Sequence, residues 1–124
     1  MIDFRKKLGK EGEEIALNYL KEKGIEILEK NWQCKIGEID LIGKSNSKED
    51  TLIFFEVKTK RNVEKGSPEE MVNYRKKEKL KKLAYFYLKD KGIKNINLRI
   101  DVIAIYLNSD GSWQINHIEN AVSE

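Results

Sequence analysis

Apolar residues near the start of the chain recur at helical spacing. The segment Phe4–Leu20 carries this pattern, and Asp3 before it is a suitable N-cap. Gly24 is placed to end the helix. Gly9 and Gly12 interrupt the pattern, and a glycine inside a helix costs about 1 kcal/mol relative to alanine. We therefore expect the helix to start after them, or another element to pack very closely there.

Three short runs rich in β-branched and aromatic residues follow this helix. They are GIEIL at 24–28, EIDLI at 38–42 and TLIFFEVKTK at 51–60, and each predicts a strand. The polar segment 43–50 separates the last two runs. This arrangement predicts a β-hairpin with a long connection.

The second half of the chain predicts one more helix and two more strands. The segment Ser67–Glu70 combines an N-cap, a proline at the first helical position and a capping-box glutamate. An apolar stripe at Leu80–Leu88 follows, and Gly92 can end the helix. Segments 96–107 and 112–118 predict strands around an Asp-Gly turn. The order α-β-β-β-α-β-β predicts one α/β (α+β) domain over residues 1–124, with helices flanking a mixed sheet of about five strands.

Composition adds limits on compartment and partners. Charged residues make up 36% of the chain, against roughly 25% in an average protein. The net charge is only +3, so overall charge does not by itself indicate a nucleic-acid partner. Cys34 is the single cysteine, which excludes an internal disulfide. The sequence shows no apolar signal-peptide core and no apolar stretch long enough to span a membrane. We expect a cytoplasmic protein that does not associate with membranes.

The strand LIFFEVKTK at 52–60 carries charged side chains within an apolar run. Because side chains alternate across a strand, Glu56 and Lys58 share a face with Phe54. One interpretation is a half-exposed antiparallel strand with its polar face in water. The aromatic neighbour on that face favours a functional site instead, because burying an uncompensated carboxylate costs several kcal/mol.

The strand EIDLI repeats this feature. Regular alternation places Ile39 and Leu41 on one face and Glu38 and Asp40 on the other. If the two strands pair, Asp40 lies on the same face of the sheet as Glu56 and Lys58. Mg²⁺ prefers oxygen ligands and is usually held by one or two carboxylates plus water and substrate phosphate. The pattern suits metal-assisted phosphodiester hydrolysis, with the lysine stabilising charge on the phosphate or positioning the attacking water.

These segments resemble a known family. GKEGEEIALNYL at 9–20, NWQCKIGEIDLI at 31–42 and FFEVKTKR at 54–61 resemble the YraN family of uncharacterised bacterial proteins. That family is identified as a member of the restriction-endonuclease-like PD-(D/E)xK superfamily and is similar to archaeal Holliday-junction resolvases. The resemblance covers nearly the whole chain and continues at 84–88, 99–105 and 117–122.

The resemblance implies a divalent-metal nuclease site. The implied catalytic residues are Glu13, Asp40, Glu56 and Lys58, of which the three acids are the implied metal ligands. Glu38 competes with Asp40 for the site and is taken as a secondary residue. From the residues alone, Glu13 could equally be an exposed helical glutamate. Ile39 stands where the superfamily motif has proline, which makes the short motif less diagnostic.

Basic residues cluster at 5–10, at 75–82 and directly after the lysine of the motif. Such runs are either solvated faces or phosphate-binding surfaces, and a neighbouring metal site favours the second. The predicted nucleic-acid-binding residues are Lys60, Arg61, Arg75, Lys76, Lys77 and Lys79.

The leading hypothesis is an endonuclease-like protein that uses Mg²⁺, or Mn²⁺ in its place, to cut DNA, with branched or damaged DNA as the expected substrate. A homodimer is expected if the substrate is a symmetric junction. Two alternatives stay open. One is a non-catalytic nucleic-acid-binding module on the same fold, and the other is an adaptor that binds protein through the same helices.

Overall fold

The elements follow one another in the predicted order. The structure, a computed structural model, describes residues 3–45, 49–61 and 73–122. The sequence is helix, three strands, helix and two strands, which confirms the predicted fold class. The elements are α1 Phe4–Glu22, β1 Glu26–Cys34, β2 Gly37–Ser45, β3 Thr51–Arg61, α2 Tyr74–Lys91, β4 Asn97–Leu107 and β5 Trp113–Ile118.

The strands form one mixed sheet in the order β1-β2-β3-β4-β5. β3 and β4 are parallel, whereas the other neighbouring strands are antiparallel. Apolar side chains cover both faces of the sheet. Phe54 lies with Leu83 of α2 in one core, and Phe55 lies with Leu20 of α1 in the other. The two helices therefore cover opposite faces, and β3 is buried between them.

Asp3 is the N-cap of helix α1, and its side chain accepts hydrogen bonds from the N–H groups of Arg5 and Lys6. The helix runs through both glycines. A Cβ at position 12 would overlap the side chain of Thr59 on β3, whereas a Cβ at position 9 would meet no atom within 4 Å. Gly12 thus permits the close packing that was one of the two sequence-based expectations.

Two predicted strands have different bounds in the structure. β1 runs to Cys34, well beyond the predicted 24–28, and β2 extends beyond 38–42 in both directions. The predicted helix start at Ser67–Glu70 lies outside the described residues. Helix α2 is described from Tyr74, with Asn73 as its N-cap.

The predicted alternation in β2 is wrong at one position. Ile39 packs in the core under α2, whereas Leu41 packs in the core under α1. The two side chains therefore lie on opposite faces although they are two residues apart. The pairs Trp32↔Ile39 and Lys30↔Leu41 leave Asn31 opposite Asp40, and Asn31 has a left-handed φ of 51°. This backbone irregularity in β1 coincides with the loss of regular alternation in β2.

Candidate active site

The candidate site lies where β2 and β3 separate. Their pairing ends at Leu41↔Phe55, but β3 continues to Arg61 in register with β4. Beyond Phe55, the backbone N–H of Val57 donates to Asp40 Oδ2 at 2.7 Å. The carboxylate of Asp40 thereby takes the place of a backbone acceptor on β2. We call this region, bounded by Asp40 and by residues 56–58 of β3, the notch.

Glu56 supplies a second carboxylate at the notch and is almost fully buried. Its side chain is 5% exposed. Lys58 Nζ lies 3.1 Å and Lys76 Nζ lies 3.4 Å from the same oxygen, Glu56 Oε1. Two ammonium groups therefore compensate one buried carboxylate, which is the condition for keeping such a charge in a protein interior. The charged residues of β3 thus belong to a buried polar site and not to a simple solvated face.

Asp40 lies in a strongly anionic environment. Burial, followed by the negative charge of Glu56, raises the pKa of Asp40 to about 7, although the N–H of Val57 acts in the opposite direction. Glu13 and Glu38 raise this pKa further. The four acids predicted from the sequence are therefore electrostatic neighbours in the folded protein.

Glu13 approaches the site from α1. The contact of Gly12 with Thr59 holds α1 against β3, and the next residue on the helix is Glu13. Glu13 lines a cleft of about 490 Å³ with Lys58 and Lys60 of β3 and with Arg5 of α1. A cleft of this size falls within the usual range for ligand sites.

The pKa of Glu13 is raised above its ordinary value by burial and then by the charge of Glu38. A side-chain hydrogen bond from Asn31 lowers it, and Glu14 and Glu56 raise it further. The glutamate is half-buried and interacts with the site, so it is not the freely exposed helical glutamate of the alternative interpretation.

Glu38 stands at the edge of the site. It is exposed, and one of its carboxylate oxygens accepts a hydrogen bond from Gln33 Nε2 at 3.0 Å. Its charge nevertheless raises the pKa of both Asp40 and Glu13. Asp40 is less exposed than Glu38 and is fixed by Val57, and the secondary role of Glu38 stays a prediction.

Two residues belong to the site without having been assigned there from the sequence. Asn31 interacts with Glu13 from β1, and its left-handed backbone lies opposite Asp40. Lys76 was predicted to bind nucleic acid, but in the structure it pairs with Glu56. An asparagine inside a strand-like run is a signal for an irregular strand. The contact of Lys76 depends on how α2 packs, which no local pattern indicates.

The donor set suits a hard divalent cation held in part by water. Asp40 and Glu56 present carboxylate oxygens, and Mg²⁺ commonly needs only one or two protein carboxylates. The mutual repulsion that raises the pKa of Asp40 is the kind that a bound cation relieves. Within residues 3–45, 49–61 and 73–122, however, no three His, Cys, Asp or Glu side chains are grouped closely enough to hold one ion. The structure thus brings Asp40 and Glu56 close enough to interact, and metal ligation by these two acids and by Glu13 stays a prediction.

The other predicted basic residues are distributed around the site. Lys60 lines the cleft, and Arg61 is exposed at the end of β3. Arg75 and Lys79 line an open groove of about 410 Å³ on α2, and Lys77 is half-buried on the same helix. Their role in nucleic-acid binding stays a prediction.

The fold and the site define an α+β protein with a polar acid–lysine site at a divergent strand pair. The model of the Uncharacterised protein family UPF0102 matches residues 12–105, and the chain belongs to this family. This confirms the YraN family that the sequence motifs indicated.

Relatives in this family match almost end to end. A UPF0102 protein of Caldanaerobacter subterraneus subsp. tengcongensis is 43% identical over 119 residues, covering 94% of this chain and 95% of its own length. A UPF0102 protein of Syntrophomonas wolfei subsp. wolfei is 46% identical, with 95% and 99% covered. A UPF0102 protein of Clostridioides difficile is 45% identical, with 94% and 96% covered. These names assign no activity. Neither described helix has the length and apolar character required to cross a membrane.

Proposed function

We propose that this protein hydrolyses phosphodiester bonds in DNA at the notch, with the help of Mg²⁺ or Mn²⁺. The observation that carries the proposal is the placement of Glu56. Its buried carboxylate contacts two lysines from different elements and lies near a second carboxylate, Asp40. Acids and lysines concentrated at one buried point are expensive to maintain for stability alone.

Asp40 and Glu56 would hold the cation, with Glu13 acting directly or through a water molecule. The bound cation supplies Lewis-acid activation of a water nucleophile and neutralises charge on the phosphate. Asp40 is fixed by the N–H of Val57 at 2.7 Å. A carboxylate positioned in this way needs little reorganisation when a ligand binds.

The lysines would act on the phosphate. Lys58 lies on the cleft and is 29% exposed, so its ammonium can reach a substrate oxygen while its stem stays packed. A cation held beside the reacting phosphate stabilises the charge that develops in the transition state. Arg5 and Lys60 line the same cleft and are placed to bind neighbouring phosphates.

A specific observation supports a second candidate, a nucleic-acid-binding module without turnover. Lys58 and Lys76 already neutralise Glu56, and the described residues contain no group of three metal-binding side chains. A protein of this kind would bind DNA through its lysines and would leave it intact.

A cleavage panel separates the two candidates. Labelled single-stranded, duplex and four-way-junction DNA are incubated with Mn²⁺ or Mg²⁺, and binding is measured in parallel in EDTA. The proposed hydrolase cuts at least one substrate, and Asp40→Asn, Glu56→Gln and Lys58→Ala abolish the cutting. Glu26→Gln, at an exposed position of β1, is the matched carboxylate control and should cut normally. Salt-sensitive binding without cutting supports the second candidate instead.

A further inference from the structure

A second cavity lies on the α2 side of the sheet and includes none of the residues assigned to the notch. It has a volume of about 190 Å³. Its apolar part consists of Ala84, Leu98, Ile100 and Val122, and its polar part of Lys81, Tyr85 and Asn120, while Arg99 borders it from β4. Three of the segments that resemble the YraN family, 84–88, 99–105 and 117–122, contribute to it, although the proposed hydrolysis does not use them. We call it the α2–β4 pocket.

Asp101 lies on the opposite, α1 face of the sheet and holds the backbone that borders this pocket. It is fully buried and accepts two hydrogen bonds from Arg99, at 2.8 and 3.0 Å. Its Oδ1 also accepts from the backbone N–H of Asn120 at 2.9 Å, and its Oδ2 lies 2.7 Å from His117 Nε2. The backbone of Asn120 is thus held in place before any ligand arrives.

The charges around the pocket are already matched. Lys81 Nζ lies 3.3 Å from Glu78 Oε1, and the Arg99 guanidinium is paired with Asp101 on the opposite face of the sheet. A pocket whose cation is compensated has little preference for a free phosphate. The Asn120 side chain carries both a donor and an acceptor. This amide suits the edge of a neutral, polar ring.

The size and the aromatic wall point to the same ligand class. The volume is below the roughly 300–1,000 Å³ of drug-sized sites, so it suits one ring system. Tyr85 lines the pocket and is 58% exposed, which leaves ring surface available for stacking. Bases stack on such side chains in proteins that bind unpaired nucleic acid.

The pocket lies within reach of the notch. Lys76, which contacts Glu56, precedes Tyr85 by nine residues on α2, a separation of about 14 Å along a helix. Both regions lie on the α2 side of the sheet, since Ile100 packs in the same core as Phe54. A DNA strand with its phosphate at the notch could therefore place a base a few nucleotides away in the pocket.

We propose that the α2–β4 pocket holds one unpaired nucleobase of the DNA substrate, stacked on Tyr85 and hydrogen-bonded by Asn120. This inference rests on the proposed function and narrows its substrate to DNA with an unpaired base near the cut. Fully paired duplex would leave the pocket empty and would bind through phosphate contacts alone.

Binding experiments in EDTA with the Glu56→Gln protein test this without any need for cleavage. The probes are a duplex and the same duplex with a short unpaired segment, in which 2-aminopurine is moved along the unpaired positions. When 2-aminopurine stands at the position that enters the pocket, we expect its fluorescence to be quenched. We also expect the protein to bind the duplex with the unpaired segment about tenfold more tightly than the fully paired duplex. Tyr85→Ala should remove both the quenching and the preference, and Tyr85→Phe should keep them.

Phe86→Ala is the matched control, because Phe86 is the adjacent aromatic residue, is 48% exposed and does not line the pocket. It should behave like the parent protein. Asn120→Gly removes the side chain but tolerates the left-handed φ of 50°, and it should change the base preference while duplex affinity stays unchanged.

Equal effects of Tyr85→Ala and Phe86→Ala, with duplex binding intact, would overturn the pocket inference and leave the proposed hydrolysis standing. No binding of any DNA at low salt would overturn both.

Discussion

Lys76 Nζ on α2 lies 3.4 Å from Glu56 Oε1 on β3. The same carboxylate oxygen lies 3.1 Å from Lys58 Nζ. The lysine of α2 therefore competes with any cation that would bind Glu56. This relationship links the position of α2 to the electrostatics of the notch.

The first prediction concerns this competition. Lys76→Ala should tighten Mn²⁺ binding by roughly fivefold, because a competing positive charge worth about 1 kcal/mol is removed. It should weaken DNA binding and lower its salt dependence, because a cation near the phosphate is lost. Calorimetric Mn²⁺ titration and DNA binding at several salt concentrations measure the two effects. Lys89→Ala, at an exposed position of the same helix, is the control, and weaker Mn²⁺ binding in Lys76→Ala would show that the lysine does not compete.

The second prediction concerns the contact between α1 and β3. Gly12→Ala would force Cβ into Thr59 and should lower the free energy of unfolding by about 1–3 kcal/mol, as overpacking does. Gly9→Ala on the same helix has open space and should raise it by up to about 1 kcal/mol. Urea denaturation gives both values. A similar change in the two variants would contradict the close packing.

The third prediction concerns Asp40 in the metal-free protein. Its folded-state pKa is raised to about 7, so the native state holds a proton that the unfolded chain releases near pH 4. Stability should therefore fall as the pH rises from about 4 to about 7. Asp40→Asn keeps an acceptor for Val57 but cannot ionise. It should flatten this slope and stabilise the protein at pH 8 by about 1–3 kcal/mol.

Denaturation in EDTA between pH 5 and pH 8 measures that slope. If Asp40→Asn has a lower free energy of unfolding than the parent protein at pH 8, then burial and the neighbouring acids do not destabilise the ionised carboxylate of Asp40.

The fourth prediction concerns Asp101. Burial acts to raise its pKa, but hydrogen bonds from His117, Arg99 and the N–H of Asn120 outweigh burial and lower it. The ionised form therefore stabilises the fold above the unfolded pKa of about 3.9, and that stability is lost as the pH falls through the lower folded pKa.

Asp101→Asn should cost about 2–4 kcal/mol at pH 7, because the Arg99 guanidinium loses its charged acceptor and the other donors lose a carboxylate oxygen. The cost should shrink below pH 4. Asp110→Asn, at an exposed turn, should leave the unfolding free energy nearly unchanged. An equal effect of the two substitutions in thermal or urea denaturation would contradict the role of the buried carboxylate.

The fold could be predicted from the sequence largely because β3 follows the strand period strictly. Phe54 and Phe55 point to opposite cores, as their alternation indicated. The period also placed Glu56 and Lys58 together, and they form an ion pair. Local periodicity is sufficient where a strand is regular and buried on both faces.

The parts of the site that could not be predicted depend on irregular backbone and on long-range packing. The alternation in β2 fails next to Asp40, opposite the left-handed Asn31. The contact between Lys76 and Glu56 joins residues twenty positions apart and follows from the way α2 packs on the sheet. Neither feature appears in the spacing of apolar residues.

Cleavage of a labelled four-way junction in the presence of Mn²⁺ tests the central claim most directly. It should be compared between the parent protein, Glu56→Gln and the control Glu26→Gln at equal DNA occupancy. The account predicts Mn²⁺-dependent cutting by the parent and the control, and none by Glu56→Gln. A hydrolytic site at the notch would be contradicted if Glu56→Gln still cut the junction. It would also be contradicted if all three proteins bound the junction and other DNA but left them intact.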